Sequence, residues 1–223
     1  MTATDAPLSV NHPWGIIDAV VALLAGYLGA ALVAGAVGLG TTSTLGKLFV
    51  ANIPLYAVMA GVPIWATARR GAGPVADLGL RFSPLDLLAL PVGALLQFVV
   101  GWAYLPFVDH RDLERPAREL ADRTHGSGGW ALLVLMTCVL APFAEELFYR
   151  GLVMRSLLRR FAGWAAIVIT AAWFAAMHFE MLQFWGLFAF GLVAGFLANR
   201  TGRLGTSVAL HAGFNAVAVL ALR

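Results

Sequence analysis

The chain has 223 residues, of which 60% are hydrophobic and only 12% are charged. Soluble domains contain about 25% charged residues, so this composition excludes an ordinary soluble protein. The formal net charge is +3, but the basic residues fall in short loops between apolar runs. That distribution is typical of membrane topology and excludes the basic face of a nucleic-acid-binding protein.

The apolar runs predict the fold class. Crossing the hydrocarbon core of a bilayer takes about 20 helical residues. Runs of suitable length occur near 15–39, 47–68, 84–108, 129–154, 162–179, 181–199 and 205–222. We therefore predict an all-α, polytopic transmembrane bundle of about seven helices with a buried polar site. Residues 1–223 are expected to form a single integral membrane domain in contact with the lipid bilayer.

The loops predict the orientation. If the N-terminus and the loops 69–81, 155–163 and 200–204 share one side, that side holds eight basic residues against six on the other. Basic loops are retained in the cytoplasm, so we expect a cytoplasmic N-terminus. The high content of Ala, Gly and Arg is typical of a bacterial protein, for which the expected location is the plasma membrane.

Three features of the first half concern packing and loops. Gly26, Gly29 and Gly35 are expected to let helices approach closely. The segment 75–90 mixes Leu with Asp and Arg and is expected to lie in the membrane interface, with Ser83 and Pro84 starting the third span. The charged segment 109–127 is expected to be a solvated connector that permits a short surface helix after Pro116.

The fourth run contains two adjacent carboxylates, Glu145 and Glu146, in the sequence LAPFAEELFYRG. A charge at the centre of a spanning helix costs about 2.5–3.5 kcal/mol, so such residues indicate function. Arg150 lies four residues after Glu146 and is expected to neutralise it, because that spacing puts both on one helix face. Glu145 points about 100° away and stays available. Pro142 is expected to kink the helix by freeing the carbonyl of Cys138.

The later runs supply partners for Glu145. The fourth and fifth spans form a hairpin, and His178 is as far from its turn as Glu145 is, so the two are expected to face each other. Phe174 lies four residues before His178 and is expected to place its ring over the histidine. His211 and Asn215 have the same spacing and present one hydrogen-bonding face. We predict that the three helices converge on one buried cluster.

These side chains suit one reaction. Removal from water makes a carboxylate a stronger base, so Glu145 and His178 are expected to hold and deprotonate one water. His211 and Asn215 would donate hydrogen bonds to the oxyanion formed when that water attacks a carbonyl carbon. The reaction would be hydrolysis of a peptide bond inside the membrane.

The same residues fall into three motifs. EELFYR at 145–150 matches EExxxR, FAAMH at 174–178 matches FxxxH, and HAGFN at 211–215 matches HxxxN. In this order, on helices within 129–222, they resemble the motifs of the CPBP family of intramembrane proteases. That family includes the CAAX prenyl endopeptidases and the bacterial Abi proteins.

The resemblance implies an intramembrane endopeptidase acting on a membrane-associated peptide or protein, with CAAX-like substrates among those expected. It implies that Glu145 and His178 activate water and that His211 and Asn215 stabilise the oxyanion. The other motif residues, Glu146, Arg150 and Phe174, are expected to support them.

Three alternatives stay open on the sequence. The family is often described as metalloproteases, and Glu145, His178 and His211 are the ligands expected if zinc binds, although HExxH is absent and the water mechanism needs no metal. A carboxylate and histidine cluster also suits a proton-coupled transporter. A non-catalytic membrane scaffold of the same family is the third alternative. A thiol nucleophile at Cys138 is disfavoured, because nothing nearby would stabilise a thiolate.

Overall fold

The computed structural model describes residues 14–40, 43–104 and 106–222. Within these ranges most residues are helical and no strand occurs, which confirms the all-α prediction. The helices are α1 (Ile16–Ala36), α2 (Leu45–Arg70), α3 (Pro74–Asp77), α4 (Pro84–Tyr104), α5 (His110–Asp122), α6 (Gly126–Leu158), α7 (Gly163–Ala176), α8 (Phe184–Thr201) and α9 (Leu204–Leu220).

Helices occupy all seven predicted spans, but with unequal lengths. In the described ranges, α1, α2, α4 and α6 are long and apolar enough to cross a membrane. The last three are shorter than the sequence predicts, with 14 residues in α7, 18 in α8 and 17 in α9. The prediction of a bundle of about seven apolar helices is confirmed, and four of them meet the length and composition of a full span.

One end of the bundle gathers the start of α1 and the loops after α2, α6 and α8. These regions are joined by four contacts, Arg70 to Asp18 at 2.6 Å, Arg159 to the Trp14 carbonyl at 2.6 Å, Arg155 to the Gly202 carbonyl at 3.0 Å and Arg203 to Asp86 at 2.8 Å. The predicted grouping of these loops on one side is confirmed. Its assignment to the cytoplasm stays a prediction.

The beginnings of α4 and α9 are fastened together at this end. Ser83 caps α4 and Pro84 occupies its first turn, as predicted. Asp86 is only 3% exposed and accepts hydrogen bonds from Arg203 at 2.8 Å and the Thr206 hydroxyl at 2.6 Å. The expectation that this segment lies in the membrane interface stays a prediction, and the Asp86 carboxylate within it finds buried partners at the beginning of α9.

From that shared start, α4 and α9 run side by side in contact along their length. A Cβ added at Gly93 would overlap the carbonyl oxygen of Leu210, and one added at Gly213 would overlap that of Leu90. Only glycine fits at such a distance, so the two backbones touch. Close approach at Gly213 is what its place in the HAGFN motif predicts, whereas Gly93 belongs to no motif.

Glycine packing also joins α1 and α2. A Cβ at Gly26 would lie 2.9 Å from a methyl of Leu55, and one at Gly29 would lie 2.9 Å from Pro54. The prediction of close packing is confirmed for both. It is wrong for Gly35, which has nothing within 4 Å of the Cβ position and so leaves room for a larger side chain.

The connector after α4 differs from its prediction. Helix α5 begins at His110, six residues before Pro116, and Asp109 caps it by accepting a hydrogen bond from the Arg111 amide at 2.8 Å. A proline inside a helix removes one hydrogen bond, and the capped helix tolerates that loss. Pro116, Ala117 and Leu120 also line the central cavity, so this segment is more than a solvated connector.

Candidate active site

Helix α6 changes its winding around the glutamates. It is wound as a π-helix at Leu135–Leu140 and again at Leu147–Met154, with regular α-helix at Ala141–Glu146 between them. A π-helix bonds each amide to the carbonyl five residues back, which rotates the residues that follow, and such segments are frequent at functional sites. The two glutamates thus lie on a short α-helical piece between two distorted ones.

The first π segment creates an acceptor for Asn215. The Ala141 amide donates to the carbonyl five residues back, and Pro142 has no amide proton. The Thr137 carbonyl is therefore left without its α-helical donor, and the Asn215 side chain donates to it at 2.7 Å. The expected free carbonyl was that of Cys138. The shift to Thr137 follows from the π winding, which the sequence did not reveal.

Glu146 and Arg150 form a fully buried ion pair. Both side chains are 0% exposed, and the Arg150 Nη1 lies 2.8 Å from the Glu146 Oε1, which confirms the predicted pair. The guanidinium also lies 4.7 Å from the centre of the Phe174 ring and 5.5 Å from that of Phe190. Aromatic faces attract a cation, so the arginine is held by carboxylate and rings together.

His211 lies between the two glutamates. Its Nδ1 is 2.9 Å from the Glu146 Oε1, and its Nε2 is 3.9 Å from the Glu145 Oε2. A carboxylate oxygen paired with arginine accepts hydrogen bonds, so Nδ1 is the nitrogen that carries a proton towards Glu146. The predicted pairing of Glu146 with Arg150 thus holds, and the same carboxylate oxygen also orients His211, which the sequence did not predict.

Glu145 lines the cavity, and its side chain is 18% exposed. Its Oε2 is buried and has no hydrogen-bond partner in the described part of the chain. Glu146 is fully buried, and its Oε1 bonds to Arg150 and His211, while its Oε2 likewise has no partner among the described residues. The two adjacent carboxylates thus differ in access, because of the two only Glu145 lines the cavity.

His178 lies in the turn after α7, because that helix ends at Ala176 and not at 179 as predicted. Its Nδ1 is 2.8 Å from the Phe174 carbonyl oxygen. A carbonyl only accepts, so Nδ1 donates and Nε2 of the neutral ring keeps its lone pair. The Phe174 ring lies 4.6 Å from the imidazole, which confirms the predicted stacking. The same ring also contacts His211, at 5.8 Å between centres.

Helix α1 holds the turn that carries His178. The Tyr27 hydroxyl donates to the Met177 carbonyl at 2.9 Å, and its ring lies 6.0 Å from that of Phe179. Phe179 has φ 57°, a left-handed conformation that is strained for a bulky residue. Sequence reasoning missed both residues, since neither belongs to a motif and neither is charged.

One cavity joins the predicted residues. It has a volume of about 690 Å³ and is lined by Glu145, His178, His211 and Asn215 together with residues of α4, α5, α8 and α9. The three helices therefore converge as the sequence predicts. The direct pairing of Glu145 with His178 is not observed, since the Glu145 Oε2 has no partner and His178 bonds to Phe174. The catalytic roles stay predictions.

The candidate zinc ligands do not form a metal site in this arrangement. No group of three or more His, Cys, Asp or Glu side chains suited to a metal occurs in the described part of the chain. His211 directs Nδ1 to Glu146, and His178 directs Nδ1 to a carbonyl. Cys138 does not line the cavity. Both histidine bonds leave Nε2 as the free nitrogen, which is also the arrangement of histidines that bind zinc, so zinc binding stays a prediction and the proposed mechanism does not depend on it.

The fold and the cavity define an integral membrane protein with a polar site enclosed by helices. Residues 127–217, which include all three motifs, match the family described as type II CAAX prenyl endopeptidase Rce1-like. The match is to this region of the chain, and it confirms the resemblance read from its motifs. A CAAX-type intramembrane protease is supported at the level of the family. Neither curated proteins nor solved structures gave a match.

Proposed function

We propose that this protein is an intramembrane endopeptidase that hydrolyses a peptide bond of a membrane-associated substrate with water activated by Glu145 and His178. The observation that supports the proposal most is that Glu145 lines one cavity together with His178, His211 and Asn215, while its Oε2 accepts no hydrogen bond from the described residues. A carboxylate with a free lone pair in a largely apolar wall is suited to act as a general base.

Water activation uses two acceptors. The Glu145 Oε2 accepts one proton of the water, and the His178 Nε2 accepts a hydrogen bond from the other. The hydrogen bond from the His178 Nδ1 to the Phe174 carbonyl supports this assignment, because it leaves Nε2 as the basic nitrogen. As Glu145 takes the proton, the water oxygen bonds to the substrate carbonyl carbon.

The oxyanion that forms needs donors. The His211 Nε2 and the second amide proton of Asn215 are suited to this, because the first proton of Asn215 is bonded to Thr137. Because the His211 Nδ1 already donates to Glu146, donation from Nε2 requires the doubly protonated ring, which the proposal assigns to the reacting enzyme.

Collapse of the tetrahedral intermediate completes the reaction. The proton held by Glu145 passes to the amide nitrogen of the substrate as the carbon–nitrogen bond breaks. Glu145 returns to its ionised form, and the products are a carboxylic acid and an amine, which become a carboxylate and an ammonium when the acid passes its proton to the amine. Atoms and charges therefore balance without a metal or another cofactor.

The first experiment compares the membrane peptides of cells that express the wild type with those of cells that express Glu145→Gln. The proposal expects at least one membrane protein to remain uncut only in the variant, which also identifies the substrate and whether it is prenylated. Identical peptide profiles would contradict it. Glu145-dependent proton flux in liposomes, with no cleavage, would favour a transporter instead.

A second experiment uses purified protein and the substrate found in this way. His178→Ala is expected to lower the cleavage rate about 10²-fold, as loss of a proton-accepting partner does. Cleavage by the wild type is expected to persist in a chelator. Loss of cleavage on chelation that zinc restores would show that a metal takes part.

A further inference from the structure

Helix α4 brings one amide side chain to the cavity from outside the region that matches the family. Its residues 89–104 are apolar apart from Gln97 and two aromatic residues with polar atoms, Trp102 and Tyr104. Gln97 lines the same cavity as Glu145, and its Oε1 is buried without a hydrogen-bond partner. A buried carbonyl oxygen that lacks a donor is unfavourable, so this position calls for a ligand that supplies one.

The position of Gln97 relative to the site is fixed by backbone contact. Helices α4 and α9 start together at the Asp86 and Thr206 hydrogen bond, and they touch at Gly93 and Gly213. Gln97 lies one helical turn beyond Gly93 on the same face.

Depth along the two helices agrees with this placement. Gln97 is thirteen residues after the start of α4, and Asn215 is eleven residues after the start of α9. At 1.5 Å per residue, their depths from the shared end differ by about 3 Å. The Gln97 amide and the Asn215 amide therefore line the cavity at neighbouring levels.

Of the two aromatic residues with polar atoms on α4, Tyr104 already has a hydrogen bond within the protein. The Tyr104 hydroxyl accepts a hydrogen bond from the Gly186 amide at 2.8 Å, near the beginning of α8. That bond joins α4 to α8, so the Tyr104 hydroxyl has a structural role. No such bond to the Oε1 of Gln97 exists among the described residues.

We infer that Gln97 binds the main chain of the substrate, with its Oε1 accepting a peptide N–H and its Nε2 donating to a peptide carbonyl. A carboxamide offers the same donor and acceptor pair as a peptide unit, so it suits an extended segment with apolar side chains. The inference rests on the proposed function, and it makes Gln97 a positioning residue that selects which peptide bond lies beside Glu145.

The test measures binding in a background that cannot cleave. The Glu145→Gln protein in nanodiscs is titrated with a fluorescein-labelled, prenylated peptide that ends in a CAAX sequence. Adding Gln97→Met keeps the length of the side chain and removes the amide, and it is expected to weaken binding about 5- to 10-fold, as loss of one or two neutral hydrogen bonds does. Leu95→Met, on the exposed side of α4, is expected to bind like the background protein.

A set of N-methylated peptides distinguishes the loss of a hydrogen bond from a change in the shape of the cavity. Methylation of one particular peptide nitrogen is expected to weaken binding to Gln97 protein about 5-fold and to leave binding to Gln97→Met unchanged. Equal effects of methylation on both proteins at every nitrogen would overturn the inference. Unchanged affinity of Gln97→Met, or no binding of the peptide to the Glu145→Gln protein, would overturn it as well.

A misfolded variant is recognised by its unfolding midpoint. Gln97→Asn serves as a second variant, which keeps the amide on a shorter side chain. With cleavable substrate, Gln97→Met is expected to raise KM more than it lowers kcat. Nitrogen-specific binding without any cleavage by the wild type would contradict the proposed function and leave the role of Gln97 in binding intact.

Discussion

Two helix pairs of this bundle are both packed through glycines, yet they differ in what the glycines touch. Gly26 and Gly29 of α1 face the side chains of Leu55 and Pro54 on α2. Gly93 of α4 faces the backbone of α9 at Leu210, the residue next to His211. At the α1–α2 contact a larger residue can be accommodated when the Leu55 side chain changes rotamer. At the α4–α9 contact it can be accommodated only when one helix moves.

The ion pairs of the two regions differ in the same way. Arg70 joins α2 to Asp18 of α1, with side chains that are 32% and 25% exposed. Arg150 joins Glu146 with no exposure of either side chain. The α1–α2 pair is thus a tolerant packing unit, while the helices around the cavity hold their polar groups in fixed positions. Fixed donors and acceptors are what a catalytic site requires.

The largest expected effect concerns the two arginines. Arg150→Met leaves Glu146 buried without its cation and is expected to lower the free energy of unfolding by about 3–5 kcal/mol. Arg70→Met, the matched change at the exposed pair, is expected to cost less than about 1 kcal/mol. Unfolding of both purified variants in detergent measures the difference. Equal losses of stability would show that the buried ion pair is no more important to the fold than the exposed one.

Glycine substitutions test the backbone contact. Gly93→Ala is expected to lower the free energy of unfolding by about 1–3 kcal/mol and to reduce activity, because α4 and α9 must move apart. Gly35→Ala on α1 meets no atom and is expected to be neutral or to stabilise by up to about 1 kcal/mol. Thermal unfolding and cleavage are measured on both. A neutral Gly93→Ala would contradict the account of this interface.

Replacing Pro142 of α6 is expected to lower activity without lowering stability. Pro142→Ala restores an amide proton, which favours regular helix and competes with Asn215 for the carbonyls near Thr137. Stability is expected to hold or rise, while kcat is expected to fall about tenfold because the Asn215 amide loses its fixed position. The measurements are the unfolding midpoint and single-turnover cleavage. An unchanged kcat would show that the Thr137 bond does not position Asn215.

The smallest expected effect concerns the hydrogen bond between α1 and the turn that carries His178. Tyr27→Phe removes the hydrogen bond from α1 to the Met177 carbonyl, which holds the turn of His178. The loss of one such bond is expected to lower kcat about fivefold with KM unchanged. Tyr56→Phe on α2 is the control, since Tyr56 does not line the cavity. If both variants cleave at the wild-type rate, α1 does not position His178.

The sequence predicted the parts of the site that depend on spacing within one helix. The Glu146 and Arg150 pair and the stacking of Phe174 on His178 both follow from four-residue intervals, and both are present. The convergence of Glu145 with the later motifs was also predicted, because a hairpin brings together residues at equal distance from its turn. Buried charges in apolar runs were reliable indicators of the cavity.

The sequence could not predict contacts that depend on helix rotation or on winding. His211 bonds to Glu146, and Asn215 bonds to Thr137, because π segments turn α6 by amounts that no motif records. The burial of Asp86 depends on partners 117 and 120 residues away in the chain. Such pairings are set by the packing of α4 on α9, which periodicity does not specify.

The central claim is that Glu145, and not its neighbour Glu146, is the base that activates water. The direct measurement is the single-turnover cleavage rate of Glu145→Gln, with the folded fraction matched to wild type by its unfolding curve. We expect a rate about 10³-fold below wild type at unchanged stability, because Glu145 lines the cavity and its Oε2 accepts no hydrogen bond among the described residues. Cleavage by folded Glu145→Gln at the wild-type rate would contradict it.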